Sequence, residues 1–182
     1  MSSTRSRALV LLAALALAGC SSSPGKAEHA RVGHALAVDG AQSSGTVGNE
    51  HARVGEVWYF ALPVPHNTSS RPIEITNVAI ERIPAGLKVV SYGAYDLEDT
   101  EGLPLLAEEG GSFTPDFGSL KDYGKGPLKV PAEAESEIFY LAKVKIVAPP
   151  EGKMSECRFT YRQGGQVYAQ TLDCELELKV DG

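Results

Sequence analysis

Apolar and polar residues alternate along much of the chain from Val57 onward, and that alternation carries the first structural information. Trp58, Phe60, Leu62 and Val64 interleave with Val57, Tyr59 and Ala61 until Pro63 and Pro65 interrupt the ladder. A period of two predicts a half-buried strand, and two prolines at its end predict an edge or a change of sheet. His66-Asn67-Thr68-Ser69-Ser70 reads as a turn cluster. In the next run, Ile73 and Ile75 share one parity while Val78 and Ile80 share the other. A bulge near Thr76-Asn77 is expected to bring all four onto one face. Pro84-Ala85-Gly86 then turns the chain into a strand from Leu87 to Tyr95. A later strand places Ile138, Tyr140, Ala142, Val144 and Ile146 on one face, with Lys143 and Lys145 on the other. No amphipathic helix of ten or more residues competes with this reading.

The last hairpin allows two registers. Cys157, Phe159 and Tyr161 alternate on one strand, and Leu172, Cys174, Leu176, Leu178 and Val180 on the next. With Gly164-Gly165 as the central pair of the turn, Cys157 faces Leu172. With Gly165-Gln166 as the central pair of a type II′ turn, Cys157 faces Cys174, and Phe159, Arg158 and Thr160 face Leu172, Asp173 and Thr171. The second register is preferred for its cross-strand matches. It predicts a Cys157–Cys174 disulfide, worth roughly 3 kcal/mol by loop-closure entropy. The pattern as a whole predicts an all-β chain, an immunoglobulin-like β-sandwich of about seven strands, with a small β-barrel or jelly roll as the alternative.

The beginning of the chain has a different character. Arg5 and Arg7 precede an unbroken apolar run from Ala8 to Ala18, which closes in Leu17-Ala18-Gly19-Cys20. As a helix this run spans only about 16 Å, too short for a hydrocarbon core of ~30 Å but suited to a signal peptide. The closing four residues resemble the lipobox of bacterial lipoproteins. That resemblance implies cleavage before Cys20, a diacylglycerol on its thiol and an acylated new amino terminus, which together would anchor the chain firmly. Residues 1–19 are then a signal peptide, residues 20–54 a flexible lipid-anchored tether, and residues 55–182 the β-sandwich. The implied location is extracytoplasmic, on the bacterial cell membrane. An exported chain also lives where disulfides persist.

Within the expected tether, Glu28-His29-Ala30-Arg31-Val32-Gly33 returns unchanged as Glu50-His51-Ala52-Arg53-Val54-Gly55. Two copies are too few for a repeat architecture, and a local duplication in a tolerant linker is the simplest account. His29, His34 and His51 near Glu28 and Glu50 form a weak zinc or copper(II) constellation, lacking tight pair spacing. The segment from Asp96 to Pro127 is long, acidic and glycine-rich. Oxygen ligands at Asp96, Glu98, Asp99 and Glu101 do not match an EF-hand, so a solvated loop is the expectation. Its Phe113, Phe117 and Tyr123, together with Trp58, are the candidates for contact with a partner.

The net charge of −6 becomes more negative once Arg5 and Arg7 leave with the leader, which disfavours nucleic acid as a partner. No Gly-x-Ser-x-Gly elbow, phosphate-binding glycine loop or helix-borne histidine pair is present, and no cofactor is expected. Asn67-Thr68-Ser69 fits a glycosylation acceptor that a bacterial lipoprotein would not normally use. The expectation is a non-enzymatic, lipid-anchored binding or scaffold module of the envelope, meeting a protein or cell-wall partner. The competing expectation is a metal carrier using the histidines or the acidic loop.

Overall fold

β-Branched and aromatic residues favour pleated, half-buried backbone, and the strands fall where such residues alternate. In the computed structural model, residues 30–38 and 45–181 are described; Cys20, Glu28, His29 and the signal sequence lie outside them. Twelve strands follow in order: β1 (Arg31–Val32), β2 (Thr46–Ala52), β3 (Val57–Ala61), β4 (His66–Asn67), β5 (Ile73–Arg82), β6 (Leu87–Asp96) and β7 (Leu106–Glu108), then β8 (Leu128–Val130), β9 (Ala134–Glu135), β10 (Ile138–Ile146), β11 (Met154–Gln163) and β12 (Gln166–Val180). The only helical piece among the described residues is a 3₁₀ turn at Tyr123–Lys125.

The first sheet runs β1-β12-β11-β5-β8, with β2 also on β12; the second runs β6-β10-β3-β7. The two sheets form a sandwich and no closed barrel. Seven strands have five residues or more, in keeping with the expected number. Between the sheets lie Trp58, Phe60, Ile75, Tyr140, Val144, Phe159 and Leu176, all buried in one contiguous core. The parity break in β5 is resolved as expected. Thr160 pairs with Asn77 and Tyr161 with Ile75, so Thr76 is the extra residue, and Ile73, Ile75, Val78 and Ile80 are all buried.

The final hairpin corrects the preferred register. Cys157 faces Leu172, Thr160 faces Ala169 and Tyr161 faces Tyr168. Gly164 and Gly165 have φ of 56° and 81°, the two positive values that a type I′ turn requires. This register also stacks Tyr161 on Tyr168, with ring centroids 5.7 Å apart. The disulfide forms nevertheless. The ladder is irregular between Ser155 and Cys157, where Glu156 takes φ 66° and stands against two residues of β12. That irregularity brings Cys174 beside Cys157, with Cα atoms 5.8 Å apart and both side chains buried.

The expected tether is the larger correction. Residues 31–32 and 46–52 add to β12 as parallel strands, at Tyr168–Ala169 and at Glu175–Val180 respectively. Both copies of the hexamer therefore touch one strand, at its opposite ends. Between them, residues 33–37 form a strap. Ala35 N–H donates to Tyr161 Oη, and the Gln170 amide bonds both the N–H and the carbonyl of Leu36. Ala35 and Leu36 of the strap are themselves buried. The folded unit thus takes in residues that composition assigned to the linker. Residues 66–67, expected as a turn, pair with β9 instead.

Candidate functional site

The site follows from the two faces of β10. Its inward residues Tyr140, Ala142, Val144 and Ile146 fill the sandwich core, as alternation predicts. Its outward residues begin apolar with Phe139 and Leu141, and only then become Lys143 and Lys145. The apolar pair is covered by the acidic segment: Phe117 packs with Ala61, Phe139 and Leu141 in a second small core, flanked by Tyr59, Tyr95, Leu97 and Leu120. The second sheet is therefore buried on both faces over part of its area, and β10 reads accordingly as a near-continuous apolar run there.

Where this cover ends, the sheet surface opens into a cleft of about 290 Å³. Register assembles its floor: Lys143 lies between Tyr59 on β3 and Ser91 on β6, and Leu141 lies between Ala61 and Gly93. Phe117 and Asp122 from the covering segment supply the wall. The Phe117 ring centroid is 4.7 Å from that of Tyr59 and 4.9 Å from that of Tyr95, within the range of favourable tilted aromatic pairs. Gly93 explains the position of Tyr95. A Cβ there would meet the Tyr95 ring at 2.8 Å, so only glycine leaves room for that ring.

Tyr59, Lys143 and Asp122 are each held by hydrogen bonds. Tyr59 donates its hydroxyl to Glu109 Oε1 (2.9 Å), and the same oxygen receives the Lys143 ammonium. Lys143 Nζ also stands 5.6 Å from the Tyr59 ring centroid. Asp122 Oδ1 accepts the N–H groups of Ala94 and Gly124, tying the covering segment to β6. Hydrogen bonds from Lys143, and then from Tyr59, hold the Glu109 carboxyl below the ordinary range, while the bond to Glu109 raises Lys143. Burial raises the hydroxyls of Tyr59 and Tyr95, with Glu109 and Asp122 respectively adding to the effect.

Of the proposed contact residues, Trp58 faces the interior at 7% exposure and donates its indole N–H to Glu56. It is core and not contact surface. Phe117 is likewise buried, at 5%, as the wall of the cleft. Tyr123 packs partly against the main core, and only Phe113 stands fully in solvent. Pattern reasoning missed Tyr59 and Tyr95, although Tyr59 lies one position from Trp58 and so on the outward parity.

His34 belongs to the strap beside Ala169, whereas His51 lies on β2 beyond Leu178 and meets Asp181 at 3.2 Å. Strand rise separates them by roughly 30 Å along β12. His29 lies outside the described residues, among which no three His, Cys, Asp or Glu side chains come together as metal ligands. In the acidic segment, Asp96 caps the N–H of Glu98. Asn67 is buried, and its amide is engaged with Arg71, Pro131 and Ser69. No known protein family, characterised protein or solved structure matches the chain.

Proposed function

We propose that this protein is a lipid-anchored, extracytoplasmic binding module of the bacterial cell envelope, held at the membrane through Cys20 and binding through the cleft on its second sheet. The observation that carries this reading is the cleft itself: an aromatic-walled concavity with a few convergent polar groups, the usual composition of a ligand site. The lipobox-like Leu17-Ala18-Gly19-Cys20 supports the address, and a buried disulfide suits an oxidising compartment. The charge environment supports binding over catalysis. Lys143 and Tyr59 are raised and Glu109 is lowered, each away from the neutral range in which a general acid or base works best.

The address is tested in cells by Cys20→Ser. The variant is expected to leave the membrane fraction or to retain its unprocessed leader. A variant that fractionates and migrates like the parent would refute the lipid anchor.

A further inference from the structure

The charge balance and the lie of the rings in the cleft narrow its ligand. A cation is poorly suited, because Lys143 already occupies the position beside the Tyr59 ring where a ligand cation would gain most. An anion would approach Asp122 and the Glu109 carboxylate, and Lys143, the cation among the lining residues, is already paired with Glu109. A wholly apolar ligand would take water from Ser91, Lys143 and Asp122 and give nothing back. A volume of about 290 Å³ sits at the lower end of small-ligand pockets, too small for an acyl chain or a folded segment. What remains is a compact ring with an apolar C–H face and a hydroxyl-bearing edge.

We propose that the cleft is a saccharide subsite, seating one neutral pyranose ring of an envelope glycan against Tyr59 and Tyr95. The inference rests on the cleft being the binding surface of the module. Tyr95, whose ring lies close over Gly93, lines the cleft with Tyr59 and gives it the aromatic surface a sugar's C–H face can meet. The Lys143–Glu109 pair and Asp122 stand at the edge of the same cleft, where vicinal hydroxyls can both donate and accept. Gly93 is a positioning residue here: its missing side chain leaves the room that the Tyr95 ring occupies.

The test is calorimetric titration of the full mature chain with chitotriose, cellotriose and maltotriose, with trigalacturonate as the anionic comparator. At least one neutral trisaccharide is expected to bind with Kd of about 1 mM or tighter. Tyr95→Ala should weaken it at least about tenfold, the scale of one lost aromatic contact, while Tyr95→Phe keeps most of the affinity. Gly93→Ala should weaken binding by displacing the Tyr95 ring. Ser91→Trp, at an exposed position away from either core, should block the cleft without unfolding the sandwich. Silence from all three neutral sugars at about 10 mM, tighter binding of trigalacturonate, or indifference to both Tyr95→Ala and Ser91→Trp would overturn the proposal. A photocrosslinking residue, p-benzoylphenylalanine, at position 91 in cells separates this failure from failure of the binding-module reading. An adduct degraded by glycan hydrolases supports the saccharide. A protease-sensitive adduct overturns the saccharide alone, and no adduct together with silent titrations overturns both.

Discussion

The two glycines that end the duplicated hexamer do different work. Gly33 passes so close to Tyr161 that a Cβ would lie 2.8 Å from the ring carbon Cζ and closer still to the hydroxyl. Gly55 has open space around it but a φ of +100°. One site needs glycine for room, the other for backbone freedom. Gly33→Ala must push the strap off Tyr161 and break the Ala35 N–H bond, so a loss of about 1–3 kcal/mol is expected. Gly55→Ala should cost about 1 kcal/mol through its backbone alone. Urea unfolding of the two variants side by side checks the order, and an equal or smaller loss at Gly33 would contradict it.

Among the elements, the β11–β12 hairpin carries both the disulfide and the anchorage for β1, β2 and the strap. Replacing Cys157 and Cys174 together with serine should lower stability by about 3 kcal/mol in urea, with the far-ultraviolet spectrum remaining that of a β protein. A loss well under 1 kcal/mol would mean that the crosslink does not constrain the unfolded chain. The same hairpin marks where pattern reading succeeds and where it fails. Faces buried on one side, as in β3 and β5, are legible because burial enforces period two, and even the extra residue at Thr76 leaves a parity break. The register was not legible from paired side chains: the I′ turn at Gly164-Gly165 and the Tyr161–Tyr168 stack outweighed the matches around Phe159. Nor was β2, whose residues are exposed or half-buried except Ala52 and which is held by backbone bonding to β12. Half of the cleft could be read in advance, since Lys143 and Tyr59 share outward parity. The other half depends on Phe117, brought to the sheet by a segment with no periodic pattern.

At the scale of the molecule, surface ion pairs set the response to pH. Hydrogen bonds from Lys143 and Arg158 lower the carboxyls of Glu109 and Glu81 in the folded protein. Their contribution is present above the unfolded carboxylate value of 4.5 and disappears as pH falls through the lowered values. Lys143 is raised by Glu109, so its contribution is full below 10.5 and is lost as pH rises beyond that. Burial raises the Tyr140 hydroxyl strongly, which adds to the alkaline limb. The pairs are partly exposed, and each is worth a fraction of a kcal/mol. The urea midpoint is expected to be nearly flat between about pH 5 and 10 and to fall on both sides, with Lys143→Met weakening the acid limb. A midpoint still rising below pH 4 would contradict this assignment.

Under the proposed anchor at Cys20, the docking of Gly33 on Ala169 would also limit how far the molecule stands from the membrane. With Cys20 as the anchor, ten residues precede the first described one, and ten residues reach no further than ~35 Å whatever their path. The end of β12 that receives β1 would then lie within that reach of the bilayer, on a leash shorter than the tether of residues 20–54 that composition suggests. From Tyr168 to Val180 the strand itself adds ~40 Å. On that proposed anchor, ten residues of leash and one rigid strand would together bound how far the far end of β12 can stand from the bilayer.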